Sequence, residues 1–553
     1  MEDRSSAHDI NSYTFRMTLR FGTALVLSAI AATSAAGASA QSASFCDKVK
    51  AVTVEPAVAG AHWGVSVTTL DGKPLCTLNE AQLFRPASNN KMFTAAAALA
   101  LLGPDKRFTT TVVGEGELFG GVLKGNLKLV GGGDANFGSH EVPYVEPTRP
   151  AKPAPPEPAT MADVEELADQ VVAKGVKSIT GDIIGDDTYF AWEPYPVGWG
   201  IDDLQPGYGA PVSALTIHDS QIDIEVSPGA KIGDAAVVQA FPDVPYYVMT
   251  GTTTTVAKGG DHRPRIHFDR PVGSRQIEVS GEVAVEAATS KSDLAIHDPA
   301  EYAALALKGA LERRGVKVGG TVSADHATAN PAMTPTDDAQ AQAMVKTLLS
   351  PTAPPKTCIL PSSATGSPTP VLLATHQSST LTDDILFTMK DSQNLHAEVL
   401  MRNLGAAVAC DYRSTGGLAI VKAYLSQTGI APNDLVLYDG SGLSGHDLVT
   451  PRSLTQILVY ATKQKWGDTF KASLPVGGVD GTLANRFLPP STLTGKVLAK
   501  TGTLGESRDL SGYLTGASGA TVAFSVLVDN HLPSGGADRI AMDRIIELIA
   551  AGN

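Results

Sequence analysis

Two stretches in which helices alternate with strands flank a middle rich in short β-strands, and this split constrains the chain more than any other feature. If both ends belong to one domain, a serine at position 88 must meet residues about 300 to 410 positions further on. The first end opens with Trp63 to Thr69, where apolar and polar residues alternate. Asp71-Gly72 turns the chain, and Pro74 to Leu78 returns as the second strand of a hairpin. Phe84-Arg85-Pro86-Ala87-Ser88 leads into an Ala/Leu-rich run to Leu102 that reads as a buried helix stopped by Gly103-Pro104. Ser88 thus stands at the mouth of a strand-to-helix junction.

From Phe108 to Val130 short strands alternate with Gly turns, and a proline-rich tract at 143–158 reads as an extended, exposed spacer. Met161 to Lys174 has helical periodicity, Ile183-Ile184 a strand pattern, and residues 208 to 295 a series of short strands. Pro299 to Arg314 returns to helix. A Pro/Ser/Thr-rich stretch then spans 328–370, interrupted by a helical segment at Ala339 to Leu349. The second end predicts one or two helices over Leu381–Leu404, a strand at Leu435–Tyr438 and a helix over Pro451–Lys463. Strands at Val497–Lys500, Leu510–Thr515 and Thr521–Val528 and a final helix at Ala537–Ala551 complete it. At 553 residues the chain exceeds one hydrophobic core, so two or three domains are expected.

A formal net charge of −14 argues against nucleic-acid binding, which needs concentrated positive charge. Arg16 and Arg20 precede an apolar stretch from Phe21 to Ala36, and Ala38-Ser39-Ala40 offers a cleavage site. Residues 1–40 therefore read as a signal peptide, and the mature chain as exported, periplasmic or secreted. No later apolar run reaches the roughly 18 residues of a membrane span. Cys46, Cys76, Cys358 and Cys410 allow two disulfides in an exported protein, with three connectivities open. Their spacing fits no zinc site, and no metal or cofactor is expected.

Ser88-Asn89-Asn90-Lys91 puts a hydroxyl and an amine three residues apart, on one face of a helix start. A serine needs a nearby base to become a nucleophile, and a lysine whose charge is disfavoured by burial can be that base. Ser-x-x-Lys arises by chance about once or twice in a chain this size, so its partners decide its meaning. Lys500-Thr501-Gly502-Thr503 closes one strand, where charge, hydroxyls and backbone donors can meet a substrate carboxylate. Ser392-Gln393-Asn394, at the join of two helical segments, adds a relay hydroxyl and an amide able to hold a peptide carbonyl. Three other patterns read as structural. Gly440 to Gly445 matches GxGxxG, yet no second strand ending in an acidic residue follows, so it reads as a turn beside the site. His396-Ala397-Glu398 lacks the cysteine pair of a zinc deaminase and reads as packing. Asp186-Asp187 reads as a turn.

The order Ser-x-x-Lys, Ser-x-Asn, Lys-Thr-Gly is the signature set of penicillin-binding proteins and class A β-lactamases. The chain resembles the low-molecular-mass class C penicillin-binding proteins, of the D-alanyl-D-alanine carboxypeptidase/endopeptidase type, over nearly its whole mature length. Supporting segments are Gly131-Gly132-Gly133-Asp134, Gly181 to Asp187, Tyr208-Gly209-Ala210, Asp439 to Ser444 and Gly481-Thr482. The motif's usual central Asp or small residue is Gln393 here. The long insertion after Ser88 separates this family from β-lactamases.

The resemblance implies an α/β (α+β) transpeptidase-like domain, helices on a five-stranded antiparallel sheet, built from residues 45–113 and 296–553. Residues 114–295 would form inserted β-rich domains. It implies attack by Ser88 on the carbonyl between two D-alanines, with Lys91 as base and the Ser88 and Thr503 N–H groups holding the oxyanion. Ser392 would relay a proton, Asn394 orient the acyl peptide, and Lys500 and Thr501, beside Gly502, meet the terminal carboxylate. Peptidoglycan stem peptides and cross-links are the implied partners, and β-lactams the implied inhibitors. The rival readings are a β-lactamase or esterase on the same fold, and a non-catalytic peptidoglycan-binding protein.

Overall fold

The computed structural model describes residues 44–138, 161–257, 265–328, 336–350, 358, 370–532 and 535–553. The segment 1–40 that reads as a signal peptide, the proline-rich tract at 143–158 and most of the 328–370 stretch lie outside these residues.

Ser44 opens α1 (Phe45–Thr53) with a reciprocal capping box to Asp47. The hairpin β1 (His62–Thr69) and β2 (Pro74–Leu78) follows, then a 3₁₀ turn at Ala87–Asn90 that runs into α2 (Lys91–Leu101). Every residue of α2 from Lys91 to Leu99 is buried. A helix with no polar face can only be a core helix. Its run of alanines lets neighbouring helices approach closely, while Met92, Phe93 and Leu99 each gain roughly 1.5–3 kcal/mol from burial.

The chain then leaves this core. A sheet runs in the order β14-β5-β4-β3-β16, with β6 paired to β4 and β15 to β6. It uses β3 (Thr109–Phe119), β4 (Val122–Val130), β5 (Ser178–Ile179), β6 (Ile183–Ala191), β14 (Lys317–Val318), β15 (Val322–Ala327) and β16 (Val371–Gln377). Helices α3 (Ala162–Ala173) and α4 (Pro299–Arg313) pack with it. Two smaller sheets share the same apolar cluster. One joins β7 (Gln221–Ser227), β8 (Val237–Phe241) and β13 (Ser290–Ala295). The other joins β9 (Val248–Thr250), β10 (Thr253–Val256), β11 (Arg265–Asp269) and β12 (Gln276–Ala284).

Helix α5 (Asp338–Leu348) revisits the first core through Ala341 and Val345. After β16 the chain returns for good with α6 (Leu381–Lys390), α7 (Asn394–Leu404) and α8 (Ser414–Gln427). The pair β17 (Leu435–Val436) and β18 (Leu448–Val449), α9 (Pro451–Ala461) and α10 (Gly467–Ser473) come next. Strands β19 (Val497–Leu504), β20 (Ser507–Thr515) and β21 (Thr521–Asp529) complete an antiparallel sheet in the order β19-β20-β21-β1-β2. Strand β21 is buried on both faces. Val522, Phe524, Val526 and Val528 join α1 and the terminal α11 (Ala537–Gly552), whereas Ala523 and Leu527 join the α2 side.

This is the expected architecture of helices on a five-stranded antiparallel sheet with inserted β-rich units. The inserted sheet draws on strands from Thr109 to Gln377, since β14, β15 and β16 pair with β5, β6 and β3 across long sequence gaps. Lys500 to Thr503 lies inside β19, which continues to Leu504, rather than at a strand's end. Asp186 and Asp187 lie inside β6 and bond to Thr188, Ser213 and His326, not in a turn.

The cysteines pair as Cys46–Cys76 and Cys358–Cys410. Cys46–Cys76 spans 30 residues, so its loop-closure effect on the unfolded chain is worth roughly 3–4 kcal/mol. Replacing both cysteines by serine should lower the urea-unfolding free energy by about that amount. A loss below about 1 kcal/mol would show that this bridge does not restrain the unfolded chain.

Candidate active site

Pro86 and Ala87 set the entry to the site. Ala87 has φ +42°, the left-handed region that a non-glycine residue seldom occupies, and this turns Ser88 to the start of α2. Ser88 is half-buried. Lys91, three residues on, is fully buried, and its Nζ lies 2.9 Å from Ser88 Oγ, 2.5 Å from Asn394 Oδ1 and 2.9 Å from the Ser441 carbonyl. Burial pushes the Lys91 amine down to about 7, against the pull of the Asp439 and Glu398 carboxyls.

A second pair forms alongside. Lys500, also fully buried, reaches from β19 to Ser392 Oγ at 2.7 Å and donates to the Thr501 carbonyl at 3.0 Å. Burial and the nearby Lys91 charge push it well below the usual lysine range. Ser392 itself has φ +66°, in the sharp join between α6 and α7. Thr501 Oγ1 lies 2.7 Å from Thr482 Oγ1. Gly502 is needed for close approach: a Cβ there would fall 2.8 Å from the Pro86 carbonyl oxygen. β19 is the edge of its sheet, and this approach seats it against the Ser88 turn.

A cavity of about 260 Å³ opens on Ser88, Asn394, Thr503, Leu504, Gly442 and Leu443, with Asp203 and Tyr208 of the inserted segment completing its wall. The sequence-predicted set is therefore brought together in two linked groups. Ser88, Lys91 and Asn394 form one and Ser392, Lys500 and Thr501 the other, with Gly502 and Thr503 bordering both.

Residues to which the sequence reading gave no catalytic or binding role hold these groups in place. Asn394 Nδ2 donates to the Tyr208 carbonyl at 2.9 Å. The Gly440–Gly445 loop wraps two buried carboxyls. Asp439 accepts the N–H groups of Ser441, Gly442 and Ser444, and Glu398 those of Gly440 and Ser441. This aims the Ser441 carbonyl at Lys91. Asn90 ties the loop to the helix start by donating to the Asp439 carbonyl at 2.9 Å. The GxGxxG spacing was the available signal: the Gly440 and Gly442 N–H groups serve carboxylates, and that of Gly445 donates to the Gly198 carbonyl.

A model of the D-Ala-D-Ala carboxypeptidase 3 (S13) family matches residues 46–350 and 332–550, both ends of the chain and the insertion between them. The chain belongs to this family. It is a serine-type peptidase of the penicillin-binding class. A D-alanyl-D-alanine carboxypeptidase from an Actinomadura species is 32% identical over 516 residues, covering 91% of this chain and 84% of that protein. The carboxypeptidase DacB of Haemophilus influenzae is 26% identical over 462 residues, covering 82% of each. The crystal structure of penicillin binding protein 4 from that organism shares the fold, with a TM-score of 0.70 at 24% identity over 91% of this chain and 98% of that one.

Gly442 tests how tightly the family's site is assembled here. Its φ is +84°, and a Cβ would fall 1.8 Å from the Ala87 carbonyl oxygen, one residue before Ser88. Gly442→Ala should cost roughly 2–4 kcal/mol, since strain and a backbone clash add. Thermal unfolding reads this directly, and an unchanged midpoint would mean that the loop does not brace the Ser88 turn.

Proposed function

We propose that the protein is an exported D,D-peptidase that cleaves peptidoglycan stem peptides or cross-links through an acyl-Ser88 intermediate, and that β-lactams acylate the same serine. The observation that carries this reading is the buried Lys91 amine, 2.9 Å from Ser88 Oγ and pushed down to about 7. A neutral amine at that distance can take the hydroxyl proton as Oγ attacks the carbonyl carbon. The N–H groups of Ser88 and Thr503 stabilise the resulting oxyanion. Collapse breaks the C–N bond. The leaving D-alanine amine takes a proton from Ser392, whose hydroxyl Lys500 resupplies across 2.7 Å. Water then attacks the acyl carbon and gives a proton through Ser392 to the neutral Lys500, Lys91 returns its proton to Ser88 Oγ as the ester C–O bond breaks, and the shortened peptide leaves.

Asn394 is suited to orient the acyl peptide, being anchored at both ends of its amide. A substrate carboxylate laid along the edge of β19 would pair with Lys500 and the Thr501 hydroxyl, offsetting the burial that disfavours the Lys500 cation. Export is supported by the signal-like start of the chain and the two disulfides. No helix among the described residues is long and apolar enough to cross a membrane.

Incubation with benzylpenicillin should give a long-lived adduct, by intact-protein mass, that Ser88→Ala lacks. The same substitution should lower D-alanine release from a pentapeptide by at least about 10³-fold. Rapid turnover of penicillin without an adduct would favour a β-lactamase, and unchanged peptide release in Ser88→Ala would end the reading. Because Lys91 must be neutral to accept a proton, the second-order acylation rate should rise with pH through about 7 and level off above it. A rate that falls across that range would exclude Lys91 as the base.

A further inference from the structure

Asp163 and Glu166, three residues apart, share one face of α3. Gln170, on the same helix, locks that face onto β16. Its Oε1 accepts the Thr375 N–H at 2.9 Å, and its Nε2 donates to the Thr375 carbonyl at 3.1 Å and to Glu166 Oε1 at 3.2 Å. The next residue on β16, His376, brings its ring to the two carboxylates. Nδ1 lies 3.4 Å from Glu166 Oε2 and 3.8 Å from Asp163 Oδ1, and one donor atom from each residue lies within 4.8 Å of the others. Among the described residues, no lysine or arginine pairs with either carboxylate.

A second, independent observation lies on the far side of the ring. Asp134 is 2% exposed, its Oδ2 has no hydrogen-bond partner, and that oxygen points at His376 Nε2 from 3.8 Å. Metal-ligating histidines commonly donate their other ring N–H to a carboxylate in this way, which fixes ring orientation and tautomer. In a tetrahedral shell with bonds of about 2.0–2.1 Å, neighbouring donors stand about 3.3–3.5 Å apart, so small side-chain rotations suffice here.

We propose that Asp163, Glu166 and His376 Nδ1 bind a divalent transition-metal cation of the zinc class. Water completes the shell, and Asp134 accepts from His376 Nε2–H. The cation clips α3 to β16, the edge strand of the inserted sheet. The cysteine spacing behind the expectation of no metal has no bearing on this carboxylate–imidazole set.

Calorimetric titration of the chelator-treated mature chain with Zn²⁺ tests the site without reference to peptidase activity. One equivalent should bind at micromolar affinity or tighter. His376→Ala and Glu166→Gln should each abolish that binding, and Asp134→Asn should weaken it about 10–100-fold. The Glu166 side chain is 56% exposed, so its variant should fold even if the His376 variant does not, as near-ultraviolet circular dichroism would show. Absence of saturable zinc binding, or zinc binding that Glu166→Gln leaves intact, overturns the proposal.

Discussion

An amine held in a dry pocket is the constraint on which the rest of the molecule depends. Moving Lys91 from water to its site lowers its pKa from 10.5 to about 7, a loss of about 5 kcal/mol for the cation. The fold accommodates this by giving the amine three partners and by surrounding it with a helix that has no solvent face. The carboxyls of Glu398 and Asp439 stand one layer further out and act through the Ser441 backbone. Burial, with Asp439 beside it, pushes Glu398 up to about 8, which limits the charge it turns on Lys91. Direct contact with an ionised carboxylate would instead have raised the lysine and removed it as a base near neutral pH.

Lys500 repeats the device with a different consequence. Two buried amines close enough for one charge to depress the other cannot both be cations cheaply. A proton arriving at one site therefore favours its loss from the other. Ser88 and Ser392 each touch one of the two amines. In the proposed reaction a proton is taken at the first and delivered at the second, and electrostatic coupling between the lysines favours that direction.

The local half of this arrangement was legible in the sequence and the relational half was not. The hairpin before Ser88, the apolar helix after it, the break at Ser392 and the last three strands follow from period-two and period-3.6 patterns that depend on nearest neighbours. The Ser-x-x-Lys spacing predicts the contact between Ser88 and Lys91, because residues three apart share a helix face. By contrast, nothing near Val322 or Val371 announces that these short strands pair with β6 and β3. Only the family resemblance brought Ser392 and Lys500 to Ser88. The roles of Glu398 and Tyr208 escaped because each acts through backbone groups, whose positions no side-chain pattern records.

The insertion contributes more than a wall to the cavity, and α7 shows how. All of its residues are buried, and successive ones face different partners. Asn394 links Lys91 to the Tyr208 carbonyl, while Glu398 holds the glycine loop. Between them, His396 sits 2.6 Å from Asp384 on α6 and 3.0 Å from Asp219 of the insertion. Burial alone would lower this imidazole, yet the two aspartates lift it to about 10, so it remains a cation joining the two units. Farther along, Arg402 donates to the carbonyls of Ala191 and Glu193, and Asn403 to that of Gly133, where a Cβ would collide with the Asn403 amide. Helix α7 is thus fixed in rotation and in translation by the inserted domain. Since Asn394 and Glu398 ride on it, the insertion sets the geometry around Lys91 even though none of its described residues supplies a side chain to that amine.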